Sequence, residues 1–221
     1  METTEMKSMR VYNLIILDAS GSMESIYRQA LSGVNETIQT IQMVQEEHPE
    51  LKQFLTLTTF NAGPEYLHKI YDATPINEVQ TITTEDYKVR GGTALYDAMG
   101  QMITDLQHVV KHNEAVLVTI ITDGEENSSH HWTQEDIRSL NTELRQMGWT
   151  FTYIGANQDV ESVSASIGIR NSLAFKATEE DTAEMFIQDS RCRKSHMDNL
   201  LQFCLSDMVC EEDISYFDKK S

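Results

Sequence analysis

The 221-residue chain has only three cysteines and three prolines. Cys192, Cys204 and Cys210 all fall late and in no Cys-x-x-Cys spacing, which argues against a disulfide framework or a zinc knuckle and fits a reducing compartment. So few prolines, beside ten glycines, exclude collagen-like and low-complexity chains. Positive charge is scarce too: 17 Lys and Arg stand against 35 Asp and Glu, a net charge of −18. Such a surface repels phosphate backbones and anionic headgroups, so neither nucleic acid nor membrane is expected as a partner, whereas cations and basic proteins are favoured. No apolar run approaches the ~20 residues of a membrane span, and the amino terminus lacks the apolar stretch of a signal peptide, so a cytoplasmic protein is expected.

What the sequence does contain is an alternation of short β-branched apolar runs with helically spaced ones. Val11 to Leu17 reads as a strand buried on both faces, and the stretch from Tyr27 to Val44 as an amphipathic helix ending near His48. Phe54 to Phe60 predicts a second strand, closed by turn residues, with Tyr66 to Tyr71 returning as an antiparallel edge. A polar connection through Glu85, Asp86 and Tyr87 leads to a helix with Leu95, Met99, Met102, Leu106 and Val109 on one face. Val116 to Thr122, Thr150 to Ile154 and Leu173 to Phe175 read as strands. Helices carrying Ile137, Leu140, Leu144 and Met147, then Val160, Val163 and Ile167, are interleaved, and a last one starts near Thr178. This order implies an α/β fold, a doubly wound and mostly parallel sheet with one antiparallel edge strand and helices on both faces. Residues 1–203 are expected to form one domain, and 204–221, acidic and aperiodic, a loosely ordered tail.

Three loops at the carboxyl ends of these strands carry oxygen donors: Asp18, Ser20 and Ser22 in the first, Thr93 in the second, Asp123 in the third. Two carboxylates and three hydroxyls form a hard donor set suited to Mg²⁺, with Mn²⁺ or Ca²⁺ as alternatives. Each loop alone also has a plain structural reading, since Asp, Ser and Thr cap helices and populate turns.

Taken together, Asp18-Ala-Ser-Gly-Ser22, Gly92-Thr93 and Thr122-Asp123-Gly124 resemble the metal-ion-dependent adhesion site of von Willebrand factor type A domains. The resemblance implies that Ser20 and Ser22 coordinate the ion directly, that Thr93 does so in the ligand-competent state, and that Asp18 and Asp123 act largely through water and hydrogen bonds. It further implies a protein-interaction module whose cation grips an Asp or Glu carboxylate of a partner. Glu24, Glu125 and Glu126 would line the rim and favour partners with Lys or Arg around that acid.

Other readings compete less well. An aspartyl phosphoryl-transfer enzyme of the haloacid dehalogenase class needs a second Asp at the position of Ser20, and a serine-hydrolase elbow needs glycines that Ser20 lacks on either side. A binding module rather than an enzyme is therefore expected, with a phosphoryl-transfer or hydrolytic enzyme, or a purely structural metal site, as alternatives. His130 and His131 read as part of a solvated loop, and Arg191 to Lys194 as a solvated basic face of the last helix.

Overall fold

The computed structural model describes residues 8–63, 65–156, 159–206 and 216–217. Strands β1 (Met9–Asp18), β2 (Leu51–Phe60), β3 (Leu67–Pro75), β4 (Ala115–Thr122), β5 (Thr150–Ala156) and β6 (Asn171–Phe175) form one six-stranded sheet in the order β3-β2-β1-β4-β5-β6. All pairings are parallel except β2 with β3. That is the expected doubly wound sheet with an antiparallel edge. The central strand β1 is buried from Val11 to Asp18, as its uninterrupted apolar run requires.

Helices α1 (Tyr27–Glu47) and α5 (Glu179–Ser206) cover one face of the sheet. On the other lie α2 (Leu95–Gln107), α3 (Gln134–Gln146) and α4 (Val160–Ser166). Alternation along β1 feeds the two cores: Val11, Ile15 and Leu17 pack with Val34, Ile38 and Ile41 of α1, while Leu14 and Ile16 pack with Met99, Met102 and Ile103 of α2. Val109 and Met147, expected on apolar helix faces, are 44% and 62% exposed, because α2 and α3 end before them and their side chains leave the stripe. Among the described residues no helix is long and apolar enough to cross a membrane.

The end of the chain carries two buried features, of which the second corrects the solvated reading of Arg191 to Lys194. Of the expected tail, 207–215 and 218–221 lie outside the described residues, but Tyr216 and Phe217 are buried in the α1/α5 core, anchored as an edge-to-face pair 4.8 Å apart. Arg193, expected on a solvated face, is also buried. Its guanidinium donates to Asn13 Oδ1 of β1 at 3.0 Å, to Thr119 Oγ1 of β4 at 2.9 Å and to Asp189 Oδ2, one turn back, at 3.3 Å. The Tyr216 hydroxyl donates to the other Asp189 oxygen at 2.8 Å, so the aromatic anchor closes a polar seam between helix and sheet. The helical register that puts Met185, Phe186 and Met197 inward places Asp189 and Arg193 inward as well, and the ion pair between them makes their burial tolerable.

His196 is buried beside them with its ring 5.7 Å from that of Tyr216, and burial, aided by Arg193, lowers its pKa to about 4. The unfolded chain would protonate this imidazole at its ordinary, higher pKa, so stability should fall as pH drops from about 6.5 towards 4. Asp189→Ala, which leaves Arg193 buried without its counter-charge, should cost about 3–5 kcal/mol in denaturant unfolding, against about 1–2 kcal/mol for Tyr216→Phe. Equal, small losses for the two variants would show that the seam does not hold the helix to the sheet.

Candidate functional site

Strand order reverses between β1 and β4: the chain runs from β1 outward through β2 to β3, then from β4 outward through β5 to β6. The crevice at the carboxyl ends of those two strands is where an open α/β sheet offers a binding site. β1 ends on Asp18, and β4 ends on Thr122, immediately before Asp123.

Asp18 is fully buried, and both its oxygens are engaged. The Ser20 N–H donates to Oδ1 at 2.6 Å, and the Thr122 hydroxyl to Oδ2 at 2.6 Å. The Ser22 hydroxyl donates to Asp123 Oδ1 at 2.6 Å and lies 3.0 Å from Ser20 Oγ. Thr93 closes the group. A Cβ built on Gly124 would sit 3.1 Å from Thr93 Oγ1, 3.4 Å from Ser22 Oγ and 3.8 Å from Asp18 Oδ2. Oxygens from all three loops thus surround one glycine, and the five residues singled out in the sequence come together. Among the described residues no group of three or more His, Cys, Asp or Glu side chains is placed to hold a metal, so the crevice offers two carboxylates and three hydroxyls.

Burial raises the pKa of Asp18 to about 6, against the opposing effect of the Thr122 and Ser20 donors, and Asp123 adds to the rise. Burial raises Asp123 as well, opposed by the Ser22 hydroxyl. Each carboxylate is short of positive compensation. Tyr87, which the sequence hides in a polar connection, is fully buried and donates its hydroxyl to the Asp18 carbonyl at 2.9 Å. Its own carbonyl accepts from the Tyr27 hydroxyl at 2.9 Å, and the two rings stack at 5.1 Å. The first two loops are also tied through backbone, Arg90 N–H to the Ala19 carbonyl at 2.8 Å and Gly21 N–H to the Gly91 carbonyl at 3.0 Å.

The third loop is held by carboxylates of a different kind. Asp97, near the start of α2, accepts the backbone N–H groups of His130, His131 and Trp132 at 2.8–2.9 Å, and these donors outweigh its burial and keep its carboxyl below the usual range. Glu126 accepts from the Tyr96, Ser128 and Ser129 amides and from the Ser129 hydroxyl, which joins the loop to the α2 amino terminus. Of the three acids expected on the rim, Glu24 and Glu125 are exposed, while Glu126 is half-buried and turned into its own loop. His130 and His131 have exposed side chains, in keeping with a solvated loop.

Comparison with known proteins identifies the fold. The family model of the von Willebrand factor type A domain matches residues 14–189. Similar solved structures include the PilB minor pilin from Streptococcus sanguinis, with 12% identity and a TM-score of 0.59 over 86% of this chain and 62% of that one. The ArnB paralog VWA2 from Sulfolobus acidocaldarius gives 16% and 0.52 over 82% and 44%, and the SpRpn10 VWA domain 10% and 0.53 over 80% and 93%. At these identities the likeness is one of fold, and the chain spans about three fifths of the pilin's length. No curated protein sequence matches the chain.

The raised pKa of Asp18 has a definite sign. The folded state holds this proton up to about pH 6 and the unfolded state releases it near 4, so in the absence of a cation the contribution of Asp18 to stability falls as pH rises through that window. Asp18→Asn should therefore melt above the unmodified protein in chelator at pH 7, at ~2–4 °C per kcal/mol for a chain of this size, and lose that advantage by pH 4. A melting temperature lower at pH 7 than at pH 4, relative to the unmodified protein, would contradict the raised pKa.

Proposed function

The chain belongs to the von Willebrand factor type A domain family, whose members are protein-interaction modules, and from that premise we propose that it binds a partner protein through a divalent cation held in this crevice. The observation that carries the proposal is the convergence of Thr93 Oγ1, Ser22 Oγ and Asp18 Oδ2 around Gly124. Ser20, Ser22 and Thr93 would be the direct ligands, and Asp18 and Asp123 would supply the negative charge from behind them. The donor set fits Mg²⁺ or Mn²⁺, since every candidate ligand is a hard oxygen and two under-compensated carboxylates lie within the group. Such a cation, when bound, supplies Lewis acidity towards an incoming carboxylate.

The hydroxyls are oriented for this role. Ser22 gives its proton to Asp123 and so accepts from the Ser20 hydroxyl, which leaves one lone pair for the crevice. Thr122 gives its proton to Asp18 and keeps that carboxylate in place behind the hydroxyls. A binding module is favoured over an aspartyl nucleophile because Asp18 is fully buried with both oxygens occupied by donors. Glu24 and Glu125, exposed on a chain of net charge −18, would repel a uniformly acidic partner and favour one that sets a single Asp or Glu among Lys or Arg.

Titration calorimetry of metal-free protein with Mg²⁺ and Mn²⁺ should show one site, absent in Asp18→Ala, and the melting temperature should climb with cation concentration by mass action. Thr93→Ala should weaken the cation by a few-fold, and weaken cation-dependent capture of immobilised peptides carrying one Asp between Lys and Arg by a larger factor. Cation binding that survives Asp18→Ala unchanged, or peptide capture indifferent to chelator, would sink the proposal.

A further inference from the structure

The second loop does not position its own threonine. Thr93 presents its hydroxyl to the crevice, but its backbone is held on both sides by the third loop, more than thirty residues away. The Thr93 N–H donates to Asn127 Oδ1 at 3.0 Å, and the Thr93 carbonyl accepts from the N–H groups of Asn127 and Ser128 at 3.0 and 3.2 Å. Asn127 Oδ1 is itself steadied by the Ser128 hydroxyl at 2.6 Å. The fit between the loops is close: a Cβ on Gly92 would lie 2.5 Å from Ser128 Oγ and 2.8 Å from Asn127 Oδ1. An asparagine serving only its own turn would bond backbone within two or three residues of itself; this one spends its oxygen on another loop.

We infer that Asn127 is a positioning residue, which fixes the Thr93 hydroxyl in the crevice by gripping the Thr93 main chain. The inference rests on the cation site proposed above, but concerns a residue outside the five donors. Its chemistry is narrow. Only the side-chain oxygen of Asn127 is used towards Thr93, so an acceptor at that position is required and the amide nitrogen is dispensable. Without the acceptor, the Thr93 N–H loses its partner, and only the two bonds to the Thr93 carbonyl remain to hold the hydroxyl where Ser22 and Asp18 converge. Glu126 and Asp97 anchor the rest of the loop independently, through α2, so removing the Asn127 side chain leaves the loop attached.

The test is a double-mutant cycle read by Mn²⁺ calorimetry on the full chain: unmodified protein, Asn127→Ala, Thr93→Ala and the double variant, with Asp18→Ala as the control for the site itself. Asn127→Ala should weaken Mn²⁺ by about 3- to 10-fold, the scale of one lost hydrogen bond, and the double variant should bind no more weakly than Thr93→Ala alone. Asn127→Asp retains the acceptor and should restore affinity to that of the unmodified protein or above it, its added charge contributing, so the recovery counts together with exchange of the Thr93 amide. Thr93 amide hydrogen exchange should quicken in Asn127→Ala and slow again in Asn127→Asp. Losses that multiply in the double variant, an Asn127→Ala affinity equal to that of the unmodified protein, or no recovery in Asn127→Asp would overturn the assignment. Absence of Mn²⁺ binding by the unmodified protein, or binding that persists in Asp18→Ala, overturns the cation site first and the role of Asn127 with it.

Discussion

Everything at the carboxyl edge of this sheet follows from placing an aspartate at the end of a strand with no solvent on either face. β1 is flanked by β2 and β4 and covered by helices on both sides, so Asp18 arrives in the interior simply because the strand does. A carboxylate there needs donors. Ser20 and Thr122 give one each, and the Tyr87 hydroxyl fixes the backbone from which the side chain projects. Two short bonds do not cancel the loss of water, as the rise of its pKa to about 6 records. The neighbouring loops are shaped around a group that remains short of positive charge.

Contrast with Asp97 shows how burial and donor number together decide the use of an acid. Asp97 lies nearer the surface, three main-chain N–H groups from one loop converge on it, and its carboxyl falls below the ordinary range. That is a structural carboxylate: it joins the segment 130–132 to α2 and has nothing left to offer a ligand. Trp132 completes the joint by packing on Gly100, where a Cβ would lie 2.0 Å from the indole. Asp18 and Asp123 keep unspent negative charge, whereas Asp97 and Glu126 exhaust theirs on backbone donors. The same residue type is partitioned between a site and its scaffold by depth of burial and by the number of amides within reach.

The alternation of strands and helices was legible in the sequence because it depends on periodicities of two and 3.6, which burial imposes locally. That Asp18 and Asp123 lie side by side was legible because each closes or follows one of two β-branched apolar runs, whereas Thr93 stands at no strand end and was singled out by the motif resemblance. What could not be read is what depends on side chains meeting across the sheet. Arg193 sits in a basic run and looks solvated, and only the phase of α5 against β1 and β4 turns it inward to Asn13 and Thr119. Tyr87 follows Glu85 and Asp86 in a connection with no periodic signal, and nothing in the sequence marks it as an anchor. Glu125 and Glu126 are indistinguishable as letters, yet one faces solvent and the other accepts four bonds from loop and helix. Asn127 reads as a turn residue, and its reach to Thr93 appears only when the second and third loops are side by side.

These cross-loop bonds bear on how the crevice would act under the function proposed for it. Its first loop is tied to the second by Arg90 and Gly21 amides, and its second to the third by Asn127 and Ser128, so the three loops form one connected unit. A cation entering such a unit would find hydroxyl oxygens already converged, with the Ser22 proton directed at Asp123 behind it and Asp18 held by Thr122. The ordering entropy of the loops is then met by folding rather than by binding, and the attraction of the two carboxylates for positive charge is left to contribute to affinity. Neutral hydroxyls in front and charge behind would screen the ion less than direct carboxylate ligation does, and would leave more of its field for an incoming acid. On a protein of net charge −18 that field would draw an acidic group to the crevice, and would tie partner choice to it more than to the surface at large.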